Sequence, residues 1–151
     1  MATTAQEIFD AAMGLMDEVN ESTGATDTAD TREYKNRTLF ILNVLRGELY
    51  PYSDTFKDND AEEGRRPIVR IIEDFDSAIG LDDYICQTVM PYGLAAHLLL
   101  DENPTAASYF NQRYDELKAM LARGLPQGSE DIEDVYSNSK DGLGYGWFSR
   151  W

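Results

Sequence analysis

The chain has 151 residues and carries 28 Asp and Glu against 13 Lys and Arg, which gives a formal net charge of -15. Its length fits one domain of ordinary size with a substantial hydrophobic core, and its negative charge disfavours binding to the phosphate backbone of DNA or RNA. One cysteine excludes an intramolecular disulfide, and no apolar run approaches the roughly 20 residues that a helix needs to span a bilayer.

Two amphipathic helices are predicted in the first third of the chain. Thr4 followed by Glu7 is a capping-box pattern, and apolar residues then recur at helical spacing up to about Asn20. Asp30 begins a second capping-box pattern, which predicts the start of a second helix, and Pro51 is expected to end that helix. The small polar residues between the two helices are typical of a loop.

The middle of the chain contains a polar connection and a third helical pattern. Residues 52–66 are polar and charged, and the run IVRII that follows them forms either a strand or an extended strap. Asp82 is expected to cap a third helix. Pro91 and Gly93 fall inside its apolar pattern, so either one helix is kinked there or two short helices meet.

The last predicted helix marks the end of the helical part of the chain. Asn103 and Pro104 form a favourable N-cap and first-residue pair, and Gly124 is expected to stop the helix. The sequence therefore predicts a mainly α protein, a small helical bundle of four to five helices with an extended C-terminal tail. The bundle covers residues 1–123 and the tail covers residues 124–151.

No residue pattern in the chain indicates an enzyme. His97 is the only histidine, and no other ligand residue lies at metal-binding spacing from it. Cys86 lacks a nucleophile signature and is expected to be a small core residue. The acidic stretch DTFKDNDAEEGR fails the EF-hand pattern, since Glu63 stands where the loop needs glycine. We therefore predict no catalytic residue, no metal and no cofactor.

The strongest local signal is the stretch GLGYGWFSRW, which begins at Gly142. In an extended chain alternate side chains project to one face, and the glycines leave the other face bare. Such a segment suits main-chain pairing with a partner, and Tyr and Trp are common at binding hot spots. The alternative is that the tail folds back over its own helices. The expected partner-binding residues are Leu143, Tyr145, Trp147, Phe148 and Trp151.

The helical part of the chain carries a resemblance to a known class of proteins. The stretch from about residue 66 to residue 121, RPIVRIIEDFDSAIGLDDYICQTVMPYGLAAHLLLDENPTAASYFNQRYDELKAML, is similar to small acidic proteins encoded among phage head genes. The order of elements resembles that of the head-tail connector, or adaptor, proteins of long-tailed double-stranded DNA bacteriophages and prophages. The likeness is one of overall pattern, because the family has no short diagnostic motif.

The resemblance implies a structural role in the virion rather than an enzymatic one. It implies a ring of twelve copies beneath the portal protein, which extends the DNA channel towards the tail without binding DNA specifically. The C-terminal segment would dock to the portal, and neck, stopper or tail proteins would be further partners. The opening stretch MATTAQEIFD lacks the features of a secretory signal. We therefore expect the protein to be assembled in the cytoplasm of a bacterial host. In the virion it would lie in the neck between head and tail, without a membrane.

Three alternatives compete with the portal-proximal connector. The first is another neck protein, either a stopper or a tail-joining protein. The second is an acidic regulatory protein that mimics DNA, whose binding to a basic partner would weaken steeply with salt. The third is a small hydrolase centred on Glu73, Asp74 or Asp76, which would require a pocket around these carboxylates.

Overall fold

The computed structural model describes residues 2–53 and 71–124, and these residues form a helical bundle. Within these two ranges there is no β-strand, only an isolated antiparallel bridge between Thr4 and Ala78. The predicted mainly α bundle is therefore confirmed. The helical elements are α1 (Ala5–Met16), α2 (Arg32–Leu49), a 3-10 turn (Tyr50–Tyr52), a π-helical segment (Ile85–Val89), α3 (Met90–Leu98) and α4 (Pro104–Gly124).

The start of α1 is the capping box that the sequence predicts. The Thr4 hydroxyl accepts a hydrogen bond from the backbone N–H of Glu7 at 3.3 Å, and the Glu7 carboxylate accepts one from the backbone N–H of Thr4 at 2.8 Å. Two backbone donors that the first turn leaves without helical partners are thereby satisfied.

The end of α1 differs from the prediction, because the helix stops at Met16 and not near Asn20. Asp17 adopts a left-handed backbone conformation with φ of 61°, which a non-glycine residue rarely takes and which terminates the helix. The Asn20 side chain then accepts hydrogen bonds from the backbone N–H groups of Ser22 and Thr23, at 2.9 and 3.1 Å. Asn20 therefore builds a turn instead of a last helical turn.

The capping box predicted at Asp30 is wrong. α2 begins at Arg32, its N-cap is Thr31, and no side chain bonds into its first turn. The Thr31 hydroxyl is engaged by the preceding loop, since it donates to the carbonyl of Thr26 at 2.7 Å and accepts from the N–H of Thr28 at 2.9 Å. The loop thus competes with the helix for this cap.

The proline in the third helical pattern does not divide it into two helices. Residues 83–98 are helical throughout, and the interruption is a single π-helical segment over Ile85–Val89 that leads into α3. The N–H of Met90 bonds to the carbonyl of Ile85, one residue further back than in an α-helix. Pro91 has no N–H to donate, so it cannot make an α-helical hydrogen bond. The π-helical segment lies in the turn that precedes this proline.

The two described residues of the IVRII run, Ile71 and Ile72, do not lie in a strand, and we call them the strap. Instead of pairing with another strand, the backbone of Ile72 bonds to the side chain of Asn43 on α2. The Asn43 amide nitrogen donates to the Ile72 carbonyl at 3.0 Å, and its oxygen accepts from the Ile72 N–H at 2.8 Å. Residues 68–70 lie outside the described residues.

α3 lies at the centre of the bundle and packs against α1, α2 and α4. Its sequence MPYGLAAHL is apolar on almost every side, as is typical of a fully surrounded helix, and seven of its nine residues are buried. Fully burying one large apolar side chain contributes roughly 1.5–3 kcal/mol relative to leaving it exposed. The largest fully buried side chains are Phe9, Ile8, Met13, Leu42, Leu45, Leu49, Ile79, Ile85, Met90, Leu94, Leu98 and Val89.

α4 begins and ends where the sequence predicts. The backbone N–H of Ala106 donates to the side chain of Asn103 at 3.1 Å, which is the expected N-cap bond. The helix continues to Gly124 and buries one narrow stripe of side chains against the bundle. That stripe consists of Ala107, Phe110, Tyr114 and Leu117.

Candidate interaction surface

The partner-binding residues predicted from the sequence lie outside the described residues. All of them belong to the last ten residues, while the described chain ends with α4 at Gly124. Their role therefore stays a prediction. These residues are Leu143, Tyr145, Trp147, Phe148 and Trp151.

The described part of the chain exposes an apolar surface that the sequence pattern did not predict. Phe40 and Val44 lie one turn apart on α2 and are 78% and 57% exposed. Ile71, which is 76% exposed, precedes the strap residue Ile72 that the Asn43 side chain holds against the same helix. We call Phe40, Val44 and Ile71 the α2 stripe.

The face of α2 that carries the stripe also holds polar and charged residues, since exposed Glu33 lies three residues before Asn36 and exposed Glu48 lies four residues after Val44. Asn36 and Gly47 lie on the same face as Phe40 and Val44, at spacings of four, four and three residues, and both are exposed. The apolar positions that predicted α2 as a helix belong to its buried face, and Leu42, Leu45 and Leu49 are buried there. Phe40 and Val44 interrupt the polar side that an ordinary surface helix would show.

Charge is distributed unevenly over the described residues. α2 carries four basic residues against two acidic ones. By contrast, residues 17–30 contain five acidic residues and no basic one, and residues 73–83 also contain five acidic residues and no basic one. α2 therefore has more basic than acidic residues, but Arg46 is buried and both acidic residues, Glu33 and Glu48, lie on the face of the stripe.

Two tyrosine hydroxyls hold α2 in place. Tyr34 donates a hydrogen bond to the carboxylate of Glu102, and Tyr114 on α4 donates one to the carboxylate of Glu48 at 2.8 Å. Burial, and then the hydrogen bond to the carboxylate, raises the pKa of both tyrosines above the usual value. Both hydroxyls are therefore protonated at neutral pH and remain donors.

Two arginines of α2 add to this anchoring. The buried guanidinium of Arg46 donates from Nε to the carbonyl of Ile79 at 2.8 Å, and its burial lowers the pKa of Arg46. Arg37 donates from Nη2 to the carbonyl of His97 at 3.2 Å. Arg37 and Arg46 thus fix α2 to the bundle, so the stripe lies on a helix that is held in place.

The remaining candidate residues do not converge on a chemical site. Cys86 is buried, and burial raises the pKa of its thiol to about 12, so it is not a thiolate at neutral pH. His97 is exposed and lines a cavity of about 310 Å³ between the end of α3 and the start of α4. No group of three His, Cys, Asp or Glu residues that could hold a metal ion occurs in residues 2–53 and 71–124.

The carboxylates considered for a hydrolase, Glu73, Asp74 and Asp76, are all exposed. They belong to the surface segment between the strap and the buried Ile79. Among the helices that the structure describes, none is long and apolar enough to cross a membrane.

Comparison with protein-family models, with curated proteins and with solved structures finds no match to this chain. A small helical bundle serves many unrelated functions, so the fold alone assigns none. The features of this chain that bear on function are its charge, its exposed surfaces and its terminal segment.

Proposed function

We propose that the protein is a structural component of a bacteriophage virion, a head-tail connector that forms a ring beneath the portal. The ring extends the DNA channel from the head towards the tail. The chain docks to the portal through its C-terminal segment, and the anchors are Leu143, Tyr145, Trp147, Phe148 and Trp151.

The main support for the proposal is the division of the chain into a helical bundle and an aromatic C-terminal sequence. The last helix that the structure describes ends at Gly124, and the first proposed anchor, Leu143, follows 19 residues later. An extended residue spans at most about 3.3–3.6 Å, so the terminal segment is long enough to contact a partner well away from the bundle. Concentrated Tyr and Trp side chains are suited to such a contact.

The charge of the chain supports a role around moving DNA. A wall that binds phosphate would slow the passage of DNA, whereas a net charge of -15 lowers its affinity for the phosphate backbone. The acidic residues are concentrated in connecting segments, and Asp17, Glu21, Asp27 and Asp30 are all exposed.

Two other functions receive less support. A DNA mimic needs a regular acidic array, but α2 has more basic than acidic residues and exposes apolar side chains. A hydrolase needs a pocket around its carboxylates, whereas Glu73, Asp74 and Asp76 are exposed. A stopper or tail-joining protein belongs to the same neck and differs from the proposal in the partner that it contacts.

The proposal is tested by binding to the purified portal ring of the same genome over a series of salt concentrations. Aromatic anchoring predicts co-sedimentation that changes little with salt, while binding of a DNA mimic to a basic partner weakens steeply. No co-sedimentation at any salt concentration contradicts the portal-proximal assignment. In that case binding to the neck proteins of the same genome tests the stopper alternative.

A further inference from the structure

We propose that the groove between the end of α3 and the start of α4 holds the aromatic end of the same chain until a partner binds it. The groove is the cavity of about 310 Å³ that His97 lines, and we call it the α3–α4 groove. Its occupant is the sequence GLGYGWFSRW, residues 142–151. Docking there covers apolar side chains that would otherwise promote aggregation. The inference goes beyond the proposed function, because it concerns the chain before it meets a portal.

The first argument is the shape of the α3–α4 groove. Its small side chains, Ala96 and Ala107, are only 7% and 3% exposed, whereas Leu100 forms an apolar wall that is 60% exposed. Sites for small ligands have volumes of roughly 300–1,000 Å³. A groove of about 310 Å³ lies at the small end of this range, which suits an aromatic side chain.

The polar residues of the groove match the polar group of tryptophan. The indole N–H is a donor only, and it needs an acceptor when the ring is buried. Ser108 and Asn111 line the groove, and each carries a side-chain oxygen that can accept a hydrogen bond. Both residues are exposed, so an incoming indole can reach them.

The second argument is the length of chain between the groove and the tryptophans. α4 lines the groove with residues from Pro104 to Asn111, which precede Gly124 by 20 to 13 residues, or roughly 30–20 Å along the helix axis. Trp147 follows Gly124 by 23 residues, and a flexible linker of that length has a root-mean-square end-to-end distance of roughly 24–29 Å. An intramolecular contact is most favoured when the length of the linker matches the span, as it does here.

The third argument is charge. His97 is the only titratable residue among those that line the groove. The sequence GLGYGWFSRW carries one charged side chain, Arg150, and the exposed Asp101 next to Leu100 places an opposite charge beside the wall of the groove. A second copy would instead bring a chain with a net charge of -15 towards an equally negative one.

Intrinsic tryptophan fluorescence tests the inference, because the two tryptophans of the chain, Trp147 and Trp151, both belong to the proposed occupant. In the full chain we expect emission at a shorter wavelength than in urea, and quenching by acrylamide that is at least twofold weaker. Leu100→Asp places a charge in the apolar wall, and we expect it to remove both effects. Met120→Asp is the matched control and should keep the wild-type signal, since Met120 is 57% exposed and lies outside the groove.

A second groove variant, Ser108→Arg, fills the groove from an exposed position on α4. We expect it to raise acrylamide quenching at least twofold over the wild-type chain. Circular dichroism checks that each variant retains its helices. Dilution of the wild-type chain should leave the emission unchanged, because the contact is intramolecular.

Wild-type emission that matches the chain unfolded in urea overturns the inference. Protection that both groove variants leave unchanged overturns it as well, and so does protection that disappears on dilution, which indicates a contact between copies. Portal binding is measured in parallel. Tail-dependent portal binding by a chain whose tryptophans are unprotected contradicts this inference alone, whereas groove-dependent protection without portal binding contradicts the proposed function alone.

Discussion

At the scale of single residues, Gly93 shows how closely the three inner helices approach. A Cβ placed on Gly93 would lie 3.0 Å from the side chain of Leu45 on α2 and 3.0 Å from the ring of Tyr114 on α4. This separation is shorter than an ordinary van der Waals contact between carbon atoms. Gly93 was predicted only as a possible helix interruption, because its neighbours in space come from distant parts of the sequence.

We predict that Gly93→Ala lowers the free energy of unfolding by about 1–2 kcal/mol. Overpacking of a core costs roughly 1–3 kcal/mol, and it outweighs the gain of up to about 1 kcal/mol that alanine brings to a helix. Gly47→Ala is the control, since nothing lies within 4 Å of a Cβ there and the change should stabilise α2. Equal stability of the two variants in urea unfolding would contradict the close packing at Gly93.

A second prediction at this scale concerns alkaline pH. Burial raises the pKa of Cys86 from 9.0 to about 12, and the pKa values of Tyr34 and Tyr114 are also raised. A raised folded-state pKa contributes stability that is complete below the unfolded-state pKa and is lost as pH rises towards the folded-state pKa. The free energy of unfolding should therefore fall from about pH 9 upwards.

Urea unfolding between pH 7 and pH 11 measures this fall. Cys86→Ala removes the thiol, so the part of the decline that begins near pH 9 should become smaller in that variant. A stability that stays constant up to pH 11 would show that neither the thiol nor the tyrosine hydroxyls are protected from ionisation by burial.

At the scale of elements, helix boundaries were predictable where the capping side chain bonds to its own helix and no other group competes for it. Thr4 and Asn103 each accept a hydrogen bond from the backbone N–H three residues ahead, so their role follows from a few adjacent letters of sequence. The start of α2 was not predictable in this way, since the Thr31 hydroxyl bonds to the preceding loop. The end of α1 depends similarly on the turn that Asn20 builds.

These boundaries lead to a paired prediction. Thr4→Ala should lower the free energy of unfolding by about 1 kcal/mol, because it removes a capping-box bond. Asp30→Ala should change it by less than about 0.5 kcal/mol, because no side chain caps the start of α2. Thermal unfolding of both variants tests the pair. A larger loss of stability from Asp30→Ala than from Thr4→Ala would indicate that the Asp30 side chain does cap α2.

The α2 stripe shows what hydrophobic periodicity cannot predict about a helix. Apolar residues cover most of the sequence TLFILNVL, so the pattern predicts a helix but does not separate its buried face from its exposed one. Packing of α2 against the rest of the bundle, mainly α3, decides that Leu42 and Leu45 are buried while Phe40 and Val44 are exposed. An exposed apolar surface made of core-type residues is therefore hidden in the sequence.

At the scale of the whole molecule, the protein combines a helical bundle that exposes an apolar stripe with an aromatic-rich C-terminal sequence. The bundle and its helices could be predicted from hydrophobic spacing, and the structure confirms them over the residues that it describes. The terminal anchors were predicted from composition and alternation alone. Their assignment depends on a partner, because a sequence shows that aromatic residues are available for binding but not what they bind.

The most direct test of the central claim is co-sedimentation with the purified portal ring, comparing the full chain with a chain that ends at Asn138. This truncation removes every proposed anchor, from Leu143 to Trp151, and leaves residues 2–124 intact. The account predicts that the full chain sediments with the portal and that the shortened chain stays in the supernatant while retaining its helical circular dichroism. Equal sedimentation of both chains would contradict the role of the terminal aromatic residues as the portal anchor.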